Sequence, residues 1–331
     1  VSGLARRLAS RIVVAVVMIW IVASFTFFLV RAIPGNPVQA EYETLVSQGV
    51  NPAQARAETQ VIYGFLPHQP LATQYGHYLW QLLHLNLGKS ISYTGTPVSH
   101  IVLSAAPYTV ILVLSGIVAS FAIGVIAGVL AAVRRSTRLG DVLSVSGSLL
   151  HGVPQFVMAL LLAYLFTTEW AIFPFGAPYD ASIPVGFSPA FIGSLVSHAI
   201  LPVAAYALSS YGGWLLTMKS SVVSVLGDDF VLAAELRGIR PITRLRYIGR
   251  NAILPLFTIL ALSIGFMFGG SVFIEDIFDY PGLGQLLLQS INRRDYPLMS
   301  GAFLLITVAV IVANILADLL YGVIDPRVRK G

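Results

Sequence analysis

Residues 101–133 read IVLSAAPYTVILVLSGIVASFAIGVIAGVLAAV, a run without a single Asp, Glu, Lys, Arg or His. A helix needs about 20 apolar residues to cross a hydrocarbon core of about 30 Å, and this run exceeds that length. A helix that is apolar on every face belongs inside a large core or inside lipid. Five further stretches have the same character, at 12–30, 142–166, 197–218, 253–273 and 299–323. The composition agrees: of 331 residues 56% are hydrophobic and 11% charged, with a mean hydropathy of +0.80. A soluble chain carries about 25% charged residues and could not hide so much apolar surface. The expected fold is therefore all-α, a polytopic membrane protein with six transmembrane helices.

Charge placement orients those spans. With the N-terminus inside, fifteen Lys and Arg fall on inside segments, among them Arg6, Arg7, Arg11, Arg134, Arg135, Arg138 and the basic loop 219–252. Only Arg31, Arg56, Lys89, Arg293 and Arg294 fall outside. This positive-inside bias puts both termini in the cytoplasm and accounts for the net charge of +5 without nucleic acid. The first span follows Arg6, Arg7 and Arg11 but lacks a small-residue cleavage pattern, so it reads as a retained anchor. The chain divides into 1–31, an N-terminal cytoplasmic segment and first span; 32–100, an extracytoplasmic segment with short helices; 101–323, a five-helix core; and 324–331, a cytoplasmic tail.

Enzyme chemistry is hard to place. There is no cysteine, which removes disulfides, thiolate ligands and cysteine nucleophiles together. Gly88-Lys89-Ser90 imitates the end of a phosphate-binding loop, but Leu83 stands where the first glycine should be. No Gly-x-Ser-x-Gly elbow and no His-Glu-x-x-His occurs, and the six histidines are scattered. No metal site is expected.

Several polar or small residues lie at membrane depth. His151, within His151-Gly152-Val153-Pro154-Gln155, could line a translocation path or be hydrogen-bonded between helices. His198 falls near an outer helix end. Asn314 and Asp318 lie one turn apart, and an ion pair of Asp318 with Arg327 or Arg329 is the default. Gly124 and Gly128 form a small face for close helix contact. Outside the core, Asn51-Pro52 starts a helix as N-cap and first helical residue. Tyr75, Tyr78, Leu79, Leu82 and Leu83 mark an amphipathic helix that lies on the membrane surface or packs on the bundle. The segment 167–196 is rich in Pro, Gly and aromatics and has no Lys or Arg.

The loop 219–252 is far longer than a connection requires. Within it Asp228-Asp229-Phe230-Val231-Leu232-Ala233-Ala234-Glu235-Leu236-Arg237-Gly238 has acids at its start, Arg237 at its end and Gly238 as a left-handed cap. Ala233 and Ala234 offer a small face to a partner's backbone; alternatively the helix lies on the membrane surface. This stretch, followed by Leu254-Pro255, resembles the "EAA" loop of ABC importer permeases.

A second resemblance is sharper. Glu275-Asp276-Ile277-Phe278-Asp279-Tyr280-Pro281-Gly282-Leu283-Gly284, then Asn292-Arg293-Arg294-Asp295-Tyr296-Pro297-Leu298, is similar to the signature of dipeptide and oligopeptide permeases, B-type subunit. Arg31-Ala32-Ile33-Pro34-Gly35-Asn36-Pro37, Leu87-Gly88-Lys89-Ser90 and Asp325-Pro326-Arg327 fit the same subunit. Leu232 replaces the glutamate that often opens the loop motif, and Gly64-Phe65-Leu66-Pro67-His68-Gln69-Pro70 departs from the family's usual Gly-Leu-Asp. Taken as a turn, Asp279-Tyr280-Pro281-Gly282-Leu283-Gly284 is a plain connection or a gate at the outer face.

The resemblance implies a type I importer permease fold in a bacterial inner membrane. Its partners would be a second, C-type permease, two ATP-binding subunits and an extracytoplasmic substrate-binding protein, with the lipid bilayer around. ATP and magnesium would sit in the ATPases, leaving this chain no cofactor. Asp229, Ala233, Ala234, Glu235, Arg237 and Gly238 would couple it to them. Asp279, Pro281, Gly282, Gly284, Arg294, Asp295 and Pro297 would form the signature turn. The implied cargo is di- or oligopeptides, with nickel chelates, glutathione or haem as alternatives. An ATP-independent carrier would need a relay of buried charges that the spans hardly supply, and a membrane hydrolase would need an acid–base pair.

Overall fold

The computed structural model describes residues 2–32, 37–63 and 70–324. Its regular structure is helical: α1 Ser2–Ala32, α2 Pro37–Ser47, α3 Pro52–Tyr63, α4 Leu71–Leu83, α5 Val98–Val133, α6 Arg138–His151, α7 Gln155–Ala163, α8 Pro189–Val225, α9 Asp229–Leu236, α10 Pro241–Ala252, α11 Leu254–Ile277, α12 Leu283–Asn292 and α13 Tyr296–Ile324. Among the described residues, one isolated antiparallel bridge joins Lys89 and Pro97.

Among the described residues, α1, α5, α8 and α13 are long and apolar enough to cross a membrane, and α6 with α7 makes a fifth if the bent pair is one span. The 24-residue α11 stands where another span is expected, so six spans are consistent with the structure. The third span is not the straight helix expected over 142–166. It breaks between His151 and Gln155 and bends by 101°. Pro154 lacks an N–H and disfavours helical geometry at the residue before it, which is why the helix stops there.

Local signals set the other starts. Asn51 Oδ1 accepts from Ala53 N–H at 2.9 Å, Thr137 Oγ1 from Gly140 N–H at 3.5 Å and Ser188 Oγ from Phe191 N–H at 3.2 Å. Each hydroxyl or amide satisfies an N–H that the first helical turn leaves free. α8 runs on to Val225, seven residues into the loop expected to begin at 219.

The chain forms two units. The first comprises Val1–Thr109 and Pro281–Val312. Its core joins Val98, Val102 and Ala105 of α5 to Leu283 and Leu286 of α12 and to Leu298 and Ala302 of α13. Here the amphipathic helix α4 packs on the first span rather than lying free: Tyr75 hydrogen-bonds Ser24 at 2.6 Å, and Phe27 meets the rings of Tyr75 and Tyr78.

The second unit comprises Val110–Tyr280 and Ala313–Gly331. In it α8 is the central post, packed by α6, α7, α10 and α11. The expected glycine face is present on α5. A Cβ on Gly124 would lie 2.4 Å from Trp214 Cβ, and one on Gly128 2.6 Å from Met218 Cβ. With little hydrophobic drive between helices in lipid, such close backbone approach supplies the packing. Gly124→Val should therefore separate α5 from α8, read as a loss of folded, monodisperse protein in detergent while Val125→Leu is tolerated.

Candidate functional site

Two places in the second unit stand out, and the signature residues form a third feature shared by turns in both units. The first is α9. Val231 packs with Val222, Ile248, Ala252 and Leu256, and Ala234, one turn on, is buried with it. The paired-alanine face expected to meet a partner is thus divided: Ala234 turns into the chain's own core because it shares the Val231 side of the helix. Ala233 is exposed, beside Leu232 at 58% and Leu236 at 80%. Asp229, Glu235 and Arg237 are also exposed.

The end of α9 is sharply closed. Gly238 has φ +69°, its N–H donates to Glu235 O at 2.9 Å and Ile239 N–H donates to Ala234 O at 3.1 Å. This pair of bonds needs a left-handed residue, which glycine supplies without a Cβ clash. Arg244 of α10 pairs with Glu235 at 3.0 Å, Ser221 Oγ of α8 donates to Ala252 O of α10 at 2.6 Å, and Lys219 Nζ donates to Ser144 Oγ of α6 at 2.7 Å. A continuous set of contacts leads from α9 through α10 to α8 and α6.

The second place is a cleft of about 500 Å³ at the break in the bent span, lined by His151, Pro154, Gln155, Ser209, Ser210, Gly213, Trp214, Thr217, Ile259 and Ser263 among others. The His151 ring lies over Gly213, where an added Cβ would come within 3.2 Å of its Cε1. It rests on that glycine step rather than on a hydrogen bond to another helix among the described residues. Gln155 Nε2 reaches Ser210 Oγ at 3.5 Å. Thr217 Oγ1 donates to Gly213 O and Ser263 Oγ to Ile259 O, both at 2.8 Å, so each hydroxyl keeps its lone pairs for another donor. His198 Nδ1 contacts Ser194 O of its own helix at 2.7 Å.

The signature residues act on backbone geometry. Asp279 has φ +48° and Arg294 φ +57°. They close α11 and α12 as Gly238 closes α9: Tyr280 N–H bonds Glu275 O at 2.8 Å and Asp295 N–H bonds Ser290 O at 2.8 Å. Asp279 O also accepts from Ala177 N–H at 3.2 Å. In the first unit Gly282 caps α12, with Leu283 N–H donating to Thr109 Oγ1 at 2.7 Å. Pro281 is half-buried, and Gly284 and Pro297 are buried.

Asp295 is fully buried. Its Oδ2 accepts from Ser90 Oγ at 2.5 Å and from Ser92 N–H at 2.8 Å, and its Oδ1 from Leu298 N–H at 3.1 Å. It caps α13 and pins the 88–97 segment at once. Gly88 fits against Ile62 O, where a Cβ would lie at 2.4 Å, so Gly88-Lys89-Ser90 is a packing motif. A second cleft of about 490 Å³, lined by Glu41, Glu58, Lys89, Ser90 and Thr94 among others, adjoins it. Burial, and then the charge of Asp295, push the Glu41 carboxyl above its ordinary value.

Sequence reasoning missed Asp295 as an anchor and Glu275 as a fully buried carboxyl of α11. Neither residue type announces burial, and Asp295 meets Ser90 across 205 residues. Ile33 to Asn36, Gly64 to Gln69 and Asp325 to Arg327 lie outside the described residues, as do the Asp318 side chain and Arg329.

Residues 124–330 match the family described as "Binding-protein-dependent transport system inner membrane component". A protein of Brucella suis biovar 1 named as a peptide permease is 32% identical over 324 residues, covering 96% of this chain and 97% of that one. The dipeptide transport system permease protein of Escherichia coli K12 is 30% identical, covering 92% and 93%. The nickel import system permease protein of Staphylococcus aureus USA300 is 31% identical, covering 96% and 90%.

Removing the Asp295 carboxylate strands two N–H donors and a hydroxyl. Asp295→Ala should cost about 3 kcal/mol of stability and Asp295→Asn less, measured as shifts in thermal unfolding of the detergent-solubilised protein.

Proposed function

Because the chain belongs to the inner-membrane components of binding-protein-dependent transport systems, we propose that it is the permease subunit of an ABC importer and forms half of a path for di- and oligopeptides. A second permease subunit supplies the other half. ATP is hydrolysed in two partner subunits, and a binding protein delivers cargo from outside. Both termini lie in the cytoplasm, supported by the fifteen-to-five distribution of Lys and Arg.

The observation that carries the coupling role is α9: a capped helix with Leu232, Ala233 and Leu236 exposed on one side and Val231 and Ala234 anchored on the other. Exposed leucines on a polar loop call for a protein cover, here a groove of an ATPase subunit. When the ATPases close, α9 and α10 move as one piece, since α9 is clamped by the Glu235–Arg244 pair and the Val231 cluster. α10 leads directly into α11 and is tied to α8. The push therefore reaches helices on both sides of the cleft, which suits alternating access by rigid-body movement.

Peptide cargo is supported by the peptide and dipeptide permeases among the relatives. The nickel-system relative gives the alternative, and one assay separates them. Uptake of labelled di- and tripeptides should fall to background in cells lacking this gene and return on complementation. Unchanged peptide uptake with lost nickel uptake would replace the cargo.

Gly238→Asp places a side chain where the backbone is left-handed and should loosen the α9 cap, at about 1 kcal/mol. ATP hydrolysis stimulated by loaded binding protein should drop several-fold in the assembled complex. Full stimulation in that variant would remove α9 from the coupling path.

A further inference from the structure

The break in the third span carries a consequence for how cargo is held. Non-helical backbone at membrane depth is tolerated only where it is buried in protein or lines a water-filled cavity. Gly152 and Pro154 are exposed, in the middle of the span expected over 142–166, and Pro154 lines the cleft between His151, Val153 and Gln155. Lipid therefore does not cover this break.

The cleft's volume of about 500 Å³ lies in the range of small-ligand sites, roughly 300–1,000 Å³. Among the described residues, its lining holds no Asp, Glu, Lys or Arg. What it offers is polar, including the amide of Gln155, the imidazole of His151 and the hydroxyls of Ser210, Thr217 and Ser263. Thr217 and Ser263 already donate to their own helices, so toward the cleft their oxygens accept. Gln155 both donates and accepts. One imidazole with hydroxyls and an amide is too poor a donor set to hold a bare metal ion, which takes several nitrogen, sulfur or carboxylate ligands.

We propose that this cleft is the chain's cargo-contact surface and that it recognises the peptide backbone, pairing Gln155, Thr217 and Ser263 with backbone N–H and C=O groups and leaving side-chain charge unread. This rests on the peptide-import proposal above. Every peptide carries the same backbone groups, so the surface accepts varied side chains. Without a fixed counter-charge it holds cargo weakly enough to release it. Pro154, which lacks an N–H to give, keeps the break open so that Gln155 faces the cargo.

The test uses the complete complex in liposomes with its binding protein and three labelled tripeptides: neutral, lysine-containing and glutamate-containing. Each uptake rate is normalised by the binding protein's separately measured affinity. Gln155→Leu and Ser263→Val should lower uptake of all three by a similar factor, about three- to tenfold, as expected for one lost hydrogen bond. Gln155→Glu should introduce discrimination, favouring the lysine peptide over the glutamate peptide by at least about fivefold. The second permease and the ATPase subunits should co-purify with all three variants as with the wild type.

Unchanged uptake in Gln155→Leu and Ser263→Val, or loss confined to one charge class, would overturn the backbone-reading cleft while leaving peptide import standing. Loss of the second permease from the purified variants would assign the cleft to subunit packing instead. Absence of peptide uptake by the wild-type complex would overturn both proposals together.

Discussion

Any helix leaves its last carbonyls without partners in its own ladder, so each helix end needs a closing contact. That constraint organises this chain. α2, α4, α9, α11 and α12 all finish with a left-handed residue, at Gly49, Leu85, Gly238, Asp279 and Arg294, followed by the same pair of reversed hydrogen bonds. Only two of the five are glycine. For the others the left-handed geometry costs roughly 1–2 kcal/mol each, offset because two carbonyls that would otherwise be orphaned are paired. Each closure sends the chain off in a fixed direction, and the segments that follow begin from those directions.

The third span breaks at Gly152–Pro154, and the polar cleft lies there too. The coincidence has a physical cause. A proline inside an apolar stretch frees backbone groups, and freed groups at membrane depth need polar neighbours. The cleft and the α9–α10 piece share two helices, α8 and α11.

The signature stretch 275–298 marked the subunit type from its residues, yet its role in the fold was hidden. Asp279 and Arg294 do not look like left-handed caps, because residue type favours glycine there. Asp295 does not look buried, because a carboxylate enters a core only when donors from elsewhere surround it, and Ser90 and Ser92 lie some two hundred positions away. Gly124 and Gly128 were legible as a contact face, since small residues four apart on a helix that is apolar all round have few other uses. Ala234 was not separable from Ala233, because which of two adjacent alanines turns inward depends on how α9 docks on α8 and α10.

The sequence by itself determined that the chain lives in a bilayer, where its long helices run, which loop is basic, and that Gly238 must end a helix. Those properties are local: apolar length, charge count and backbone permissiveness are written in neighbouring residues. Only the tertiary structure decided that the third span bends by 101°, that α4 leans on α1, that Asp295 anchors the 88–97 segment, and that His151 opens onto a cleft. Each of these depends on groups distant in the chain coming within bonding range, and no local pattern encodes a distance between them.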